Sequence, residues 1–533
     1  MKSPVDVRHR RRILCVFPRY AASFGTFQYA YPLMDGVRAF MPPQGILVVA
    51  AYLPQAWEVR LVDENIRPVR DAELTWADVV LVSGMHVQKA EMKELARRAR
   101  AYGKTSVLGG SSVSAAPEQY PEFDYLHLGE LGDATDELIR VIDEDVTPPV
   151  AQRRFVTTER LPLADFPGPA YRLIDGRRYF IGSVQFSSGC PYRCEFCDIP
   201  ALYGRQPRLK TPEQIVAELD ALIAAGIKTS IYFVDDNFIG NKKAARTLLP
   251  HLVAWQKRRG YPVQLCCEAT LNIAKSPDIL KLMREAYFCT VFCGIETPEL
   301  GALDAMQKSH NRALPLLEAV ATINSYGIEV VSGIILGLDT DTPQTADHLI
   351  EFIDQSRIPM LTINLLQALP KTPLWDRLHA AGRLSDAADR ESNVVFLRPY
   401  DEVLSSWRRS IRHAYTPEAI YRRFAWNTEH TYINRITPPL SRGRLNAANL
   451  RRAALMVTRL LVRVGLFGDY RRFFWRMAWP ALRTGRIEEL IHVGIVAHHM
   501  IVFARACDEG RENASFFAER AKSGERTAPA LPG

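Results

Sequence analysis

Cysteine is scarce in this chain, at nine residues of 533. That is too few for a disulfide scaffold, and the nine do not fall into a framework of spaced pairs. No uninterrupted apolar run approaches the roughly 20 residues that a membrane-crossing helix requires. The basic stretch 1–12 leads into only five apolar residues, 13–17, before Pro18. That is too short for the core of a signal peptide and reads as a first buried strand. No G-x-G-x-x-G occurs, so dinucleotide binding is unsupported. Lysine is missing from residues 401–505, where 18 Arg face 7 acidic residues, a net charge of +11 in a chain whose total is +8.

What is present is a soluble globular composition, 47% hydrophobic and 24% charged. Its length calls for two or three domains. The most informative run is Ser188-Gly189-Cys190-Pro191-Tyr192-Arg193-Cys194-Glu195-Phe196-Cys197-Asp198. Its spacing, C-x3-C-x2-C, offers three thiolates where a four-iron cluster ordinarily takes four, so one iron keeps an open position. A zinc knuckle would need a fourth ligand close by, and the next His or Cys is His251. The run resembles the signature of the radical SAM superfamily. The resemblance implies a [4Fe-4S] cluster on Cys190, Cys194 and Cys197, with S-adenosylmethionine (SAM) chelated at the open iron and cleaved to a 5′-deoxyadenosyl radical. It also implies that Phe196 lies near the adenine. An iron–sulfur site points to a reducing cytoplasm.

Residues 13–150 alternate short β-branched runs (13–17, 59–62, 79–83, 106–108 and 125–128) with helical segments such as 87–102. This predicts an α/β fold, a doubly wound (Rossmann-like) parallel sheet with ligands beyond the carboxyl ends of its strands. The loops there are Asp63-Glu64-Asn65, Ser83-Gly84-Met85-His86, Gly109-Gly110-Ser111-Ser112 and Gly129-Glu130. The layout resembles the cobalamin-binding domain of one large class of radical SAM enzymes, which implies cobalamin on these loops. The axial histidine of many cobalamin domains is missing from Asp63-Glu64-Asn65-Ile66-Arg67. His86 is either a substitute ligand or a polar lining residue. The loop 19–44, with Phe24, Phe27, Tyr29, Tyr31 and Phe40, is either a cover for the corrin or a packed interdomain connection.

From residue 175 to 375 the alternation resumes, with strands at 183–187, 230–233, 263–268, 290–294, 329–336 and 362–367. Helices are expected at 213–225, 242–258, 277–285, 313–326 and 345–356. Six such units predict an open (β/α)6 partial TIM barrel, active at the carboxyl ends of its strands. The resemblance implies that Asp235-Asp236-Asn237 stands where a Gly-Gly-Glu run holds the SAM ammonium. It implies that Glu296 of Gly294-Ile295-Glu296 accepts from a ribose or ammonium, and that the segment ending at Gly337 supports adenine. Thr340 replaces the last glycine of that element. Cys266, Cys267, Cys289 and Cys293 read as small buried residues.

Residues 390–507 read as a helical domain mixing Arg with aromatics, as in Tyr470-Arg471-Arg472-Phe473-Phe474-Trp475-Arg476. Peripheral membrane contact is the favoured reading, plain core helices the second, and nucleic acid is not expected. Residues 508–533 read as a disordered tail. Together with Phe17-Pro18-Arg19-Tyr20 and Met41-Pro42-Pro43-Gln44-Gly45, the chain resembles cobalamin-binding radical SAM proteins with a helical C-terminal extension, and among these the bacterial hopanoid C-2 methylases. That implies a methyltransferase acting on an unactivated carbon of ring A of a pentacyclic triterpenoid lipid. It further implies methylcobalamin as methyl source, a ferredoxin or flavodoxin as electron donor, and a cytoplasmic location peripheral to the inner membrane. Methylthiolation and a cobalamin-assisted cyclisation or rearrangement are the alternatives.

Overall fold

The computed structural model describes residues 3–513 apart from 313, 386, 388–389 and 440–445. The tail expected from residue 508 onward falls largely outside these. Within them, Glu512 accepts a hydrogen bond from the Tyr29 hydroxyl at 2.9 Å.

The first sheet is wholly parallel. Its strands are β1 (Arg12–Phe17), β2 (Glu58–Asp63), β3 (Val79–Ser83), β4 (Thr105–Gly109), β5 (Tyr125–Leu128) and β6 (Arg153–Val156), in the order β2-β1-β3-β4-β5-β6. Period-two alternation sends Leu14, Val16, Val80 and Val82 to one face, and Ile13, Cys15, Val79 and Leu81 to the other. Both faces are buried under helices, as a parallel sheet requires. The sixth strand lies past residue 150, where the sequence placed the end of this domain. Only Phe155 of its four residues is buried, which leaves no alternation to read.

The second sheet is built from β7 (Gly182–Val184), β10 (Ser230–Phe233), β11 (Gln264–Glu268), β12 (Phe288–Glu296), β13 (Glu329–Leu336) and β14 (Leu361–Leu365), all parallel and in chain order. Between its first two strands runs a small antiparallel pair that the sequence did not announce, β8 (Ser187–Ser188) with β9 (Arg208–Leu209). The helices packed outside include Pro212–Ala225, Lys242–Arg259, Pro277–Glu285 and Thr345–Ser356.

The C-terminal region is helical, with Tyr400–Ala414, Pro417–His430, Ala447–Leu460, Arg471–Arg483 and Ile487–Asp508. The last has 22 residues and, although polar residues such as His492, His498 and His499 interrupt it, is apolar enough to cross a membrane by length and composition. It packs instead inside the domain, burying Leu490, Val493, Val496, Ala497, Met500 and Ile501 among others. The aromatic loop after β1 packs against it. Phe24 meets Phe503 at 4.7 Å and Tyr415 at 5.2 Å, and Phe27 meets His499 at 4.9 Å. That loop is therefore a packed interdomain connection, and one continuous core runs through all three regions.

Candidate active site at two facing sheet edges

The carboxyl edges of the two sheets meet across an apolar cavity of about 290 Å³. On the first sheet it is lined by Ser83, Gly109, Gly110, Gly129 and Glu130. Its floor is Val48 and Val49 from one flanking helix and Leu138, Ile139 and Ile142 from another. The second domain adds Gln185, Leu202, Tyr203 and Val234. Two glycines shape it. Gly110 has φ +106°, and a Cβ there would stand 3.0 Å from the Gly84 carbonyl. Gly129 has φ +106° and would meet Thr157 at 3.0 Å. Side chains rarely adopt this backbone region, so glycine keeps the rim open.

Not every candidate residue lines this cavity. Asp63, Glu64 and Asn65 form a hydrogen-bonded knot beside it. The Asp63 carboxylate accepts from the Asn65 backbone and side-chain amides at 2.9 and 2.8 Å and from the Tyr179 hydroxyl at 3.2 Å. Burial raises the Asp63 carboxyl to about 6, against those hydrogen bonds. Gly84 and Met85 also stand off the lining, the first packed so closely that a Cβ would meet the Met92 sulfur at 2.7 Å. His86 shares a hydrogen bond with Ser112 Oγ through Nδ1 at 3.1 Å, and its Nε2 stands 3.7 Å from Asp198 beside Cys197. It bridges the domains, and it is not among the residues lining the cavity.

Glu130 also joins the two edges. Arg208 donates to it at 2.5 Å, Ser188 Oγ at 3.1 Å, and Arg160 lies 3.4 Å away. Ser188 and Arg208 belong to the β8–β9 pair that opens the cysteine loop, so the cavity rim and the loop share one ionic clamp.

The cysteine loop itself is held from several sides. Asp235, almost fully buried, accepts backbone hydrogen bonds from Phe186 at 3.3 Å and from Ser187. Burial raises its carboxyl to about 7 in spite of them. Asp236 accepts from the Gly189 N–H at 2.7 Å, and burial raises it to about 6. Gly189 has φ +99°, and a Cβ there would stand 2.9 Å from the Gly204 carbonyl, which accepts from the Cys190 N–H at 3.2 Å. On the far side the Arg377 guanidinium grips Glu195 at 2.6 and 3.2 Å and also donates to Asp339 at 2.6 Å. Thus Asp235 spends both carboxylate oxygens on backbone, and Asp236 spends one. Asn237 is buried, and its amide pulls the Cys190 thiol back from the rise that burial imposes.

Cys190, Cys194 and Cys197 are free and half-buried. Burial raises all three thiols, while the Lys308 ammonium opposes that rise at Cys190 and Cys194. No group of three His, Cys, Asp or Glu among the described residues converges on a single ion. A cube whose irons each take a separate sulfur needs no such convergence, and its positive charge would favour the thiolates that burial alone disfavours. The loop therefore fits a cluster.

Lys308 was not singled out by the sequence. Its ammonium is buried against Glu296 and lies 5.4 Å from the centre of the Phe196 ring. Glu296 reaches it through a strained backbone, φ +67°, at an irregularity in the β12–β13 register. Gly294 makes the room, since a Cβ there would stand 2.3 Å from the Glu296 carboxylate. A second cavity of about 290 Å³ opens beside this pair, walled by Glu195, Phe196, Met306, Leu338, Thr340 and Leu366. Gly337 turns the chain under it at φ +92°, where a Cβ would strike the Phe396 ring at 2.5 Å. Asp341 fixes that turn by accepting from the Gly337 and Leu338 N–H groups at 2.7 and 3.1 Å.

Residues 32–139 match the B12 binding domain, 184–353 the radical SAM superfamily, and 372–513 a domain of unknown function (DUF4070). The chain is 58% identical to hopanoid C-2 methylase of Rhodopseudomonas palustris (strain TIE-1) over 520 residues, 98% of each chain. The chain belongs to that family. The family is one of cobalamin-binding radical SAM methyltransferases, whose cofactors are a [4Fe-4S] cluster, SAM and cobalamin. A more distant relative, bacteriochlorophyllide d C-8(2)-methyltransferase of Chlorobaculum tepidum, is 22% identical over 73% of this chain and 89% of its own. Two solved structures share the fold. They are the cobalamin-dependent SAM radical enzyme OxsB (TM-score 0.59, 15% identity, 94% of this chain and 81% of that one) and the radical SAM methyltransferase TsrM from Kitasatospora setae (TM-score 0.58, 16% identity, 91% and 99%).

Proposed function

We propose that this enzyme methylates C-2 of a hopanoid lipid. The 58% identity across nearly the whole of both chains carries the reading, and the two cavities support it. When bound, the cluster and SAM supply a carbon-centred radical able to remove hydrogen from an unactivated carbon, and cobalamin supplies the methyl group.

The chain's own residues then have separable tasks. Cys190, Cys194 and Cys197 would hold three irons, with Asp235, Asp236, Gly189 and Arg377 fixing the loop. Lys308, paired to Glu296, places positive charge beside Phe196, where an anionic carboxylate of SAM would be stabilised in a site of low dielectric. The cavity under Phe196, Leu338 and Thr340 would take the adenine, over the turn at Gly337. Gly109, Gly110, Gly129 and Glu130 would border the corrin, and the apolar floor of Val48, Val49, Leu138, Ile139 and Ile142 suits the aromatic base of its tail. Asp63, Glu64, Asn65, Gly84 and Met85 act behind that lining. In this scheme the cobalamin domain runs through β6, the barrel through β14, and the helical domain follows.

The reaction needs a one-electron donor, for which a ferredoxin or flavodoxin fits. A lipid substrate favours a cytoplasmic enzyme peripheral to the inner membrane. Methylthiolation is disfavoured, because ribosomal protein uS12 methylthiotransferase of Nostoc punctiforme aligns to only 41% of the chain. Moreover Cys266, Cys267, Cys289 and Cys293 lie in strands β11 and β12. Expression in a host that makes unmethylated hopanoids tests the reading: a product heavier by one methylene, formed with 5′-deoxyadenosine and S-adenosylhomocysteine, is expected. An unchanged lipid profile from protein shown to carry cluster and cobalamin would refute it.

A further inference from the structure

The helical domain has an apolar face that the active site does not use. The helix Ala447–Leu460 runs on through a wider turn, Leu461–Leu466, and the chain folds back into Arg471–Arg483. At this bend Leu466 is 61% exposed, Phe467 76% and Trp479 58%, with Val462 and Trp475 exposed beside them. They form one patch: the Trp475 indole donates to the Gly465 carbonyl at 2.8 Å, which seats it next to Leu466. Trp475 and Trp479 follow one another at i, i+4 on the same helix face. Leu450 and Val462, three turns apart on the first helix, extend the stripe.

The rim is strongly cationic. Residues 447–483 contain eight Arg, no Lys and a single acidic residue, Asp469. Asp469 is taken by Arg505 at 2.8 Å. Among the described residues, Arg463, Arg471, Arg472, Arg476 and Arg483 make no ion pair with a carboxylate. A soluble core helix has no use for exposed Trp and Phe ringed by unpaired guanidiniums. An anionic bilayer surface matches both, since indoles favour the interface and Arg meets lipid phosphates.

We propose that the bend at 462–479 docks the enzyme on an anionic membrane, with Leu466, Phe467 and Trp479 entering the headgroup layer and Arg463, Arg472, Arg476 and Arg483 engaging phosphates. Docking would orient the whole molecule, because the hairpin is rigidly joined to the rest. Arg459 donates to the Met34 carbonyl at 2.6 Å, and Met456 packs with Ala30, Met34 and Val37 of the aromatic loop. The inference deepens the lipid reading, yet it is tested with vesicles that contain no hopanoid, so either can fail alone.

The test is flotation of the cofactor-loaded full chain with phosphatidylcholine vesicles, with and without phosphatidylglycerol. Binding is expected only with the anionic lipid. The Phe467→Ser/Trp479→Ser variant should lose it, and Arg472→Glu/Arg476→Glu should weaken it about 30-fold or more. Both variants alter only exposed side chains, and unchanged cobalamin content would show that they fold. No binding by the parent chain overturns the proposal, as do variants that bind as well as the parent. A parent that is a dimer and becomes monomeric in Phe467→Ser/Trp479→Ser without ever binding vesicles would assign the face to a second copy of this chain. Binding to duplex RNA that depends on Arg472 and Arg476 but not on Phe467 and Trp479, without vesicle binding, would overturn it equally.

Discussion

Two six-stranded parallel sheets face one another in this protein, and their carboxyl edges are finished in opposite ways. The first edge is built from glycine and aliphatic side chains: Gly110 and Gly129 hold positive φ, and the space behind them is apolar. The second is crowded with charge, as Asp235, Asp236, Glu195, Arg377, Glu296 and Lys308 brace one loop and the pocket beside it. Topology sets where a ligand sits, while edge chemistry sets which ligand. A large, rigid organic cofactor asks for room and apolar contact, and a charged inorganic cluster with a zwitterionic partner asks for fixed charges in low dielectric.

The sharpest break in that contrast is Cys194→Ala. It should abolish methylation and cluster loading, measured as iron and sulfide content, and leave cobalamin binding intact. If cobalamin is lost as well, the two edges are not independent, and the Glu130–Arg208 clamp becomes the first suspect.

Gly110→Val is the converse. A branched side chain at φ +106° beside the Gly84 carbonyl should cost about 1–3 kcal/mol and block cobalamin binding in a spectroscopic titration, with iron loading retained.

Lys308→Met strips the charge from the second edge and leaves Glu296 buried and unpaired, at a cost of about 3–5 kcal/mol. Activity should fall about 100-fold or more. The double variant Glu296→Gln/Lys308→Met should recover thermal stability but not turnover. Recovery of both would show that the pair serves packing alone.

The smallest effect is a difference in pH response between the edges of the cofactor-free protein. His127, lining the first cavity, is lowered by burial from 6.5 to about 4. Between those values the unfolded chain binds the extra proton, so its contribution to stability is complete above 6.5 and shrinks as the pH falls. Asp235 is raised by burial from 3.8 to about 7. Its contribution is complete below 3.8 and is lost as the pH rises through 7. Melting temperatures of His127→Gln and Asp235→Asn, followed across this range, should therefore change slope in opposite senses. Parallel shifts would contradict the assigned burial.

Much of this architecture was legible in the sequence alone. Strands β3, β5, β10 and β13 begin and end where their hydrophobic runs do, because buried parallel strands are continuous apolar segments between loops. The strand β6 was not, since an edge strand reading Arg-Arg-Phe-Val with one buried residue carries no alternation. The aromatic loop 19–44 left two readings open, because its composition suits a cofactor cover as well as an interdomain seam. Only the packing of Phe24 and Phe27 on Tyr415, His499 and Phe503 chose between them.

The cysteine motif is local: three ligands within eight residues announce themselves, and so do the two parallel α/β patterns around them. Lys308 could not be found in that way. It lies twelve positions beyond Glu296, and they meet only because a strained turn brings the carboxylate back over Gly294. Likewise Glu130 reads as one more strand-end residue until folding sets Arg208 and Ser188 against it. Sequence by itself determined the periodic and the contiguous, which depend on nearest neighbours along the chain. Tertiary structure decided the pairing of buried charges, because the choice of partner there is made by desolvation across distant segments.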